Sequence, residues 1–339
     1  MSVRIGSGKH TYEWIDNWAR IPDSQSARAG WAHPGVAVTE AGEVISFHQG
    51  DPTVLVFDRE GNLRRSFDTG LTEGHGMALV KEGDTEYLWI ADTGSKRDYR
   101  AGYEYPATSR PGQAVKMTLD GRVVMTIRQP DLPIYREGKF SPTSVAVNEE
   151  RHGGNGDVWV ADGYGQSHVH RYSRYNKAGE YLGSINGQEG AAGAFKTPHG
   201  LWIDTRGSEP ELYVADRGKG RVQVYDLDGN FKRVFGSDFL TTPCAFAVDG
   251  DLLVIAELRA RLAVVDPDER LVCYLGANEV VCDLEGWPNM KNERGEIVRT
   301  NRLAPGKFNS PHGIAVDADG NVYVAEWLIG GRMTKLVKI

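Results

Sequence analysis

The residues with the clearest capacity for chemistry are three histidines, His75, His199 and His312, which lie in the segments GHG, PHG and PHG. Neutral imidazole is the commonest metal ligand in proteins. Three imidazoles with one open coordination position form a catalytic zinc arrangement, and they also suit other divalent metals. The sequence therefore predicts a metal site, with zinc as the first expectation, if the fold brings the three side chains together.

A repeat that runs the length of the chain could bring them together. Each copy has two short apolar strands, the second ending in an acidic residue, and then two further strands, as in TPHGLWIDTRGSEPELYVADRGKGRVQVYDLDGNFKRVFG. Short β-branched or aromatic runs bounded by turn residues are typical of strands. Copies begin at HPGVAV (33), GHGMAL (74), SPTSVAV (141), TPHGLWI (197), TPCAFAV (242) and SPHGIAV (310). Six four-stranded copies predict an all-β fold, a six-bladed β-propeller.

The two ends of the chain should complete one blade together. The last copy, GIAVDADGNVYVAEWLIGGRMTKLVKI, is one strand short, and the strand-like segment HTYEWIDNWARI at 10–21 precedes the first copy. We therefore expect an N-terminal strand to close the ring, which also leaves no exposed sheet edge between blades. Residues 1–339 are predicted to form a single domain.

The histidines recur at one position of the repeat, immediately before the first strand, which we call the axis position. In blade order this position holds Pro34, His75, Thr143, His199, Cys244 and His312. Histidine thus occupies every second blade, so the three side chains would be spaced about 120° apart around the central channel. A strand-capping role would not require this alternation. The alternation therefore favours a ligand on the axis.

Strand parity adds further residues to the same face. In an up-and-down blade the loop before the first strand and the loop after the second emerge on one face. This face should carry Gln49, Thr93, Tyr164, Arg217, Leu258 and Trp327. Two long insertions, at 94–112 and 279–310, open onto it and are expected to roof the pocket.

Other polar residues are expected to be structural or remote. The acidic residues that end the second strands should accept backbone N–H bonds from neighbouring loops; they are Asp92, Asp162, Asp216, Glu257 and Glu326. Among the remaining histidines only His48 is expected near the site face. His168 and His170 are expected on the surface of blade three.

Composition narrows the partners and the location. The net charge is −7 and lysine and arginine form no cluster, which disfavours a nucleic-acid partner. The aliphatic runs, such as LLVIA, are too short to span a bilayer, and MSVRIGSGKH contains no signal-like apolar stretch. We expect a cytoplasmic chain with no membrane partner. Cys244, Cys273 and Cys282 lack CxxC spacing and are expected to be free thiols.

Two further motifs carry a resemblance to a known family. They are ADGYGQSHVHRYS at 161–173 and ADRGKGRVQ at 215–223, which accompany the PHG strand starts. Together they resemble NHL-repeat propellers, in particular the peptidyl-α-hydroxyglycine α-amidating lyases, over nearly the whole chain. The resemblance implies that His75, His199 and His312 bind zinc, that Tyr164 is the catalytic tyrosine and that Arg217 is an active-site arginine.

The sequence also departs from this family. The segment FHQGD has Gln49 where the family has a second catalytic arginine. An arginine beside a tyrosine lowers the phenol pKa, so its loss should weaken Tyr164 as a base. Gly313 replaces a carboxylate that helps to bind a structural calcium, and Gly165 replaces a cysteine of secreted members. Neither calcium nor a disulfide is therefore expected.

The resemblance implies a lyase acting on a small-molecule or peptide-derived substrate. The substrate would be a carbinolamide, similar to an α-hydroxyglycine amide, whose C–N bond breaks when Tyr164 removes the hydroxyl proton; Arg217 would hold a carboxylate or stabilise negative charge. One alternative is a zinc-dependent hydrolase of an ester, lactone or amide, with Gln49 polarising the carbonyl. A second alternative is a non-catalytic NHL propeller that binds a protein or ligand.

Overall fold

The fold is an all-β six-bladed propeller, as the repeat predicts. The computed structural model describes residues 3–106, 110–174 and 179–339. Six antiparallel sheets of four or five strands make up the blades, and within a sheet consecutive strands are hydrogen-bonded neighbours. A short two-stranded sheet lies within the 279–310 insertion.

Two strands and one short helix precede the first complete blade: β1 (Val3–Ser7), β2 (His10–Ile15) and α1 (Gln25–Ala29). Blade one contains β3 (Val36–Val38), β4 (Val44–Phe47), β5 (Thr53–Phe57) and β6 (Leu63–Asp68). Blade two contains β7 (Gly74–Glu82), β8 (Thr85–Asp92), β9 (Gln113–Thr118) and β10 (Val123–Ile127). Blade three contains β11 (Ser144–Val147), β12 (Val158–Asp162), β13 (His168–Ser173) and β14 (Glu180–Ile185).

The remaining blades continue this order. Blade four contains β15 (Pro198–Asp204), β16 (Glu211–Asp216), β17 (Arg221–Tyr225) and β18 (Phe231–Phe235). Blade five contains β19 (Pro243–Asp249), β20 (Leu252–Glu257), β21 (Arg261–Val265) and β22 (Leu271–Leu275). The insertion that follows holds β23 (Met290–Lys291) and β24 (Ile297–Val298), and blade six begins with β25 (Pro311–Val316), β26 (Val322–Glu326) and β27 (Arg332–Lys338).

The N-terminal strand completes blade six, as predicted. Strand β2 pairs antiparallel with β27, with Tyr12 opposite Lys338 and Trp14 opposite Leu336. Strand β1, which the sequence analysis did not anticipate, adds a fifth strand outside β2. Because both termini contribute to one sheet, the last blade depends on residues at both ends of the chain.

The described residues fall into two compact units. One comprises residues 1–70, 96–108 and 246–339 and the other residues 71–95 and 109–245, in each case as far as the structure describes them. The prediction of a single domain stays a prediction. No helix among the described residues is long and apolar enough to cross a membrane.

Hydrophobic side chains fill the space between neighbouring blades of each unit. Strands β12 and β16 are buried along nearly their whole length, because a middle strand is covered on both sheet faces. The fourth strand of a blade alternates instead, as the pattern of half-buried and exposed residues along β6 illustrates. One cluster of buried hydrophobic side chains packs blade two against blade three and includes Trp89 and Val160. Another packs blade three against blade four and includes Trp159 and Leu212.

Candidate metal centre and active site

Each axis histidine is held by a backbone carbonyl of the following blade. The Nδ1 atoms of the three rings contact carbonyl oxygens at the next axis position: His75 with Thr143 at 2.6 Å, His199 with Cys244 at 2.9 Å, and His312 with Pro34 at 3.4 Å. A neutral ring that donates from Nδ1 carries its lone pair on Nε2, where a metal can bind. The blades without histidine therefore supply the acceptors that orient the histidines.

The glycine after each histidine allows that carbonyl to approach. A Cβ atom at Gly76 would lie 2.4 Å from the Thr143 oxygen, and one at Gly200 would lie 2.3 Å from the Cys244 oxygen. At Gly313 a Cβ atom would lie 2.4 Å from the Pro34 oxygen. The sequence His-Gly recurs because a side chain after the histidine would clash with the carbonyl that orients its ring. A carboxylate side chain at position 313 does not fit this backbone.

The three histidines form a buried group that could hold a metal ion. His75 is fully buried, and His199 and His312 are each 2% exposed. Each offers one ring nitrogen as a candidate ligand. The rings of His75 and His199, which belong to the same unit, have centroids 4.8 Å apart. Three imidazoles whose Nδ1 atoms contact backbone carbonyls leave three Nε2 atoms for a metal. This is the ligand set of a three-histidine metal site.

The acidic residues at the ends of the second strands hold the loops that lead to the first strands. Asp92 accepts the backbone N–H of Glu73, Asp216 that of Lys196, and Glu326 those of Asn309 and Ser310, at 2.6–3.0 Å. Asp162 does the same for Ser141 in blade three. The predicted structural role is confirmed for these four. Glu257 accepts a hydrogen bond from the guanidinium of Arg261 at 2.5 Å.

The Tyr164 hydroxyl lies between two of the histidines and an arginine. Its oxygen is 3.3 Å from Nε2 of His75, 3.2 Å from Nε2 of His199 and 3.2 Å from Nη1 of Arg217. Burial raises the pKa of Tyr164 to about 12, and Arg217 acts in the opposite direction by stabilising the phenolate. The two residues taken over from the family motifs are therefore in direct contact.

The sequence analysis did not predict that Cys244 and Glu73 act on Tyr164 and Arg217. Burial acts to lower the pKa of Arg217, but interactions with Tyr164 and Cys244, which include a hydrogen bond with each side chain, raise it overall. The buried carboxylate of Glu73 is among the groups that raise the pKa of Tyr164. The axis position of Cys244, and the place of Glu73 two residues before His75, were the available signals.

Gln49 is engaged with backbone rather than with a titratable group. Its side chain is buried, and Nε2 donates to the carbonyl of Ala27 at 2.6 Å and to that of Gly330 at 3.4 Å. These contacts fasten α1 and the loop after β26. The catalytic role predicted for Gln49 stays a prediction.

A stack of aromatic rings extends from His312. Its ring contacts that of His33 at 5.1 Å, which in turn stacks on Trp327 at 4.9 Å. Trp327 stacks on Trp31, and the guanidinium of Arg97 from the 94–112 insertion lies over Trp31 at 4.6 Å. His33 was not expected near the site face. Residues 107–109 of the insertion lie outside the described part of the chain.

The prediction that His170 lies on the blade surface is wrong. The ring is fully buried, with Nε2 2.7 Å from the Tyr135 hydroxyl and Nδ1 2.7 Å from the Ser184 hydroxyl. Tyr135 belongs to the segment before blade three and covers β13, which periodicity within the blade does not reveal. Burial lowers the pKa of His170 to about 3, so the ring is neutral.

This neutral histidine should make stability depend on pH. Because the folded pKa is about 3 and the unfolded value 6.5, its contribution is present above pH 6.5 and is lost as the pH falls towards 3. Between pH 7 and pH 5 the loss amounts to about 2 kcal/mol. Urea unfolding of wild type and His170→Gln at both pH values checks this: the stability difference between the proteins should shrink by that amount.

Asp162 also titrates between pH 7 and pH 5, so its effect on stability must be separated from that of His170. Burial raises its pKa to about 6, so its ionisation opposes the His170 effect, but Asp162 is present in both proteins. An unchanged stability difference between pH 7 and pH 5 would show that His170 is not held neutral.

Comparison with known proteins agrees with the predicted fold. Residues 308–327 match the family model "NHL repeat". The chain is 29% identical over 96% of its length to peptidyl-alpha-hydroxyglycine alpha-amidating lyase 1 of Drosophila melanogaster, covering 60% of that protein. It is 27% identical over 63% of its length to human NHL repeat-containing protein 3, covering 58% of it. The chain thus spans about three fifths of the length of these curated relatives.

A solved structure supports the architecture independently. The streptogramin B lyase structure superimposes with a TM-score of 0.56 at 12% identity, covering 98% of this chain and 99% of that one. At this identity the likeness concerns the fold alone. The chain is therefore a six-bladed β-propeller with an NHL repeat, and it resembles the peptidyl-α-hydroxyglycine α-amidating lyases.

Proposed function

We propose that this protein is a metal-dependent lyase that cleaves the C–N bond of a carbinolamide similar to an α-hydroxyglycine amide. The observation that carries the proposal is the Tyr164 hydroxyl, which lies 3.2–3.3 Å from two histidine Nε2 atoms and 3.2 Å from Arg217. A proton acceptor beside metal-ligand nitrogens suits the removal of a proton from a bound hydroxyl. The resemblance to the Drosophila lyase supports the same reaction class.

The three axis histidines are the proposed metal ligands. His75, His199 and His312 would hold zinc or another divalent metal, which when bound would supply Lewis acidity towards the substrate hydroxyl oxygen. The carbonyls of the following blades fix the orientation of the three rings. Because the imidazoles are buried, water competes little for their nitrogens.

Tyr164 takes the proton in the bond-breaking step. Its phenolate oxygen accepts the substrate hydroxyl proton, the O–H electron pair forms the C=O bond, and the C–N bond breaks. The nitrogen leaves with the bonding pair and a proton returns to it, so the products are an aldehyde and a primary amide and no water is consumed. Arg217 favours this step, since a cation 3.2 Å from the phenol oxygen stabilises the phenolate.

The experiment is product analysis with an N-acyl-α-hydroxyglycine. The metal-loaded protein should release the primary amide and glyoxylate, detected by mass spectrometry, and treatment with a chelator should stop the release until metal is restored. Release of the carboxylic acid instead of the primary amide would favour the hydrolase. No turnover of hydroxyglycines, esters or lactones with any divalent metal would refute the enzymatic function and favour a binding propeller.

A further inference from the structure

The loop that carries Tyr164 is built around the carboxylate of Asp162. One oxygen accepts the backbone N–H of Ser141 and the other that of Gln166, both at 2.6 Å. The backbone N–H of Tyr164 donates to the Ser141 carbonyl at 3.2 Å, and that of Ser167 donates to the Asp162 carbonyl at 3.0 Å. The orientation of this carboxylate therefore sets the course of residues 162–167.

The loop packs directly on the carboxylate, with no room to spare. A Cβ atom at Gly165 would lie 2.1 Å from Asp162 Oδ1 and 2.3 Å from the Lys139 carbonyl oxygen. The backbone of the residue that follows Tyr164 therefore lies directly against the carboxylate. This contact also means that a cysteine at position 165 does not fit this backbone.

A chain of side-chain hydrogen bonds also leads to this carboxylate. The Tyr135 hydroxyl donates to Asp162 Oδ2 at 2.7 Å and contacts His170 Nε2 at 2.7 Å. The chain continues from His170 Nδ1 to the Ser184 hydroxyl and on to the Tyr181 hydroxyl, again at 2.7 Å each. Apart from the last two members the chain is buried.

While Asp162 is ionised, the hydrogen bonds of this chain can have only one order of donors and acceptors. Tyr135 has a single hydroxyl proton, which the carboxylate requires, so the Tyr135 oxygen accepts from Nε2–H of His170. Nδ1 of His170 must then accept from Ser184. His170 is neutral because burial lowers its pKa to about 3, which is consistent with this order. We call this series of hydrogen-bonded side chains the brace, because every member donates towards Asp162.

We propose that Tyr135 is a positioning residue that acts through Asp162 on the placement of the Tyr164 hydroxyl. Its effect on catalysis rests on the function proposed above, whereas its effect on the loop does not. Removing its hydroxyl takes away the donor that lies 2.7 Å from Asp162 Oδ2 and leaves that oxygen with the backbone N–H of Gln166. The loss of this donor loosens the loop. The Tyr164 oxygen then spends less time within reach of the substrate proton.

The test combines amide hydrogen exchange with kinetics on Tyr135→Phe. The amides of Tyr164, Gln166 and Ser167 should exchange about ten-fold faster than in wild type. With an N-acyl-α-hydroxyglycine substrate, kcat should fall about ten-fold while KM and metal content stay the same. The matched control is Tyr323→Phe, which also removes a buried hydroxyl that donates to a carboxylate, that of Asp317 at 3.0 Å.

A double-mutant comparison separates positioning from general destabilisation. In a Tyr164→Phe background, Tyr135→Phe should cause no further fall in the residual rate, because its effect passes through the missing hydroxyl. A second full ten-fold loss would overturn the proposal. If Tyr135→Phe does not fold, His170→Gln, which interrupts the same chain one member further on, should show a smaller acceleration of exchange.

Failure of the proposed function gives a different result. Faster loop exchange in Tyr135→Phe with no turnover by wild type would reject the lyase and keep the brace. Unchanged exchange at all three amides would reject the brace, whether or not wild type is active.

Discussion

His199→Ala is expected to lower the affinity for the metal by more than about 100-fold, so that the purified variant contains almost no metal. Losing a partner that merely orients a metal ligand costs about 10–100-fold, and His199 would be a ligand itself. Its Nδ1 is already held by the Cys244 carbonyl, so the ring is oriented before the metal binds. Elemental analysis after purification without chelator measures the effect, with about one metal per chain expected for wild type.

The matched control for this experiment is His152→Ala. His152 is exposed in the turn before β12, and its loss should leave metal content unchanged. Circular dichroism of both variants checks that the blades are intact. Equal metal content in His199→Ala and wild type, or no metal in either, would contradict a metal site at this position.

Tyr164→Phe is expected to lower kcat by about 10²–10⁴, the usual contribution of a general acid or base. The substitution removes only the hydroxyl, whose contacts include His75, His199 and Arg217. None of these contacts is needed to hold the imidazole Nδ1 atoms, so metal content should remain that of wild type. Steady-state kinetics on an N-acyl-α-hydroxyglycine, together with elemental analysis, separates the two effects.

Tyr323→Phe provides the matched control here as well, because its hydroxyl serves a hairpin turn in blade six. That variant should retain the wild-type kcat. If Tyr164→Phe also retains it, Tyr164 is not the base and the bond-breaking step must be assigned to another group. The buried carboxylate of Glu73 is then the next residue to replace.

The propeller could be predicted from the sequence because blades are local. One continuous segment of sequence holds the strands, the turns and the PHG-type start of a blade. The pattern of each blade can therefore be recognised within its own copy of the repeat. The closing strand β2 could be predicted by counting, since the last copy lacked a strand. Strand β1 was missed because VRIGS is short and mostly exposed, which gives it little hydrophobic pattern.

The site was predicted in part for a related reason. His75, His199 and His312 stand out by residue type and by alternation, and Tyr164 and Arg217 by motif. The carbonyls that orient the histidines leave no trace in residue identity, because every residue has one. His170 was misplaced because its burial depends on Tyr135, which reaches it from outside the blade repeat.

The carbonyl bonds between blades have a consequence for protein engineering. Thr143, Cys244 and Pro34 share no side-chain chemistry, yet each serves one imidazole through its main-chain oxygen. Substitution of these side chains would therefore change the lining next to the histidines and keep the main-chain acceptors. It would also remove the bond of the Thr143 hydroxyl to the Pro198 carbonyl or the contact of Cys244 with Arg217. The neighbouring Gly76, Gly200 and Gly313 allow no such freedom, so a library meant to alter substrate choice should vary the first set and leave the second untouched.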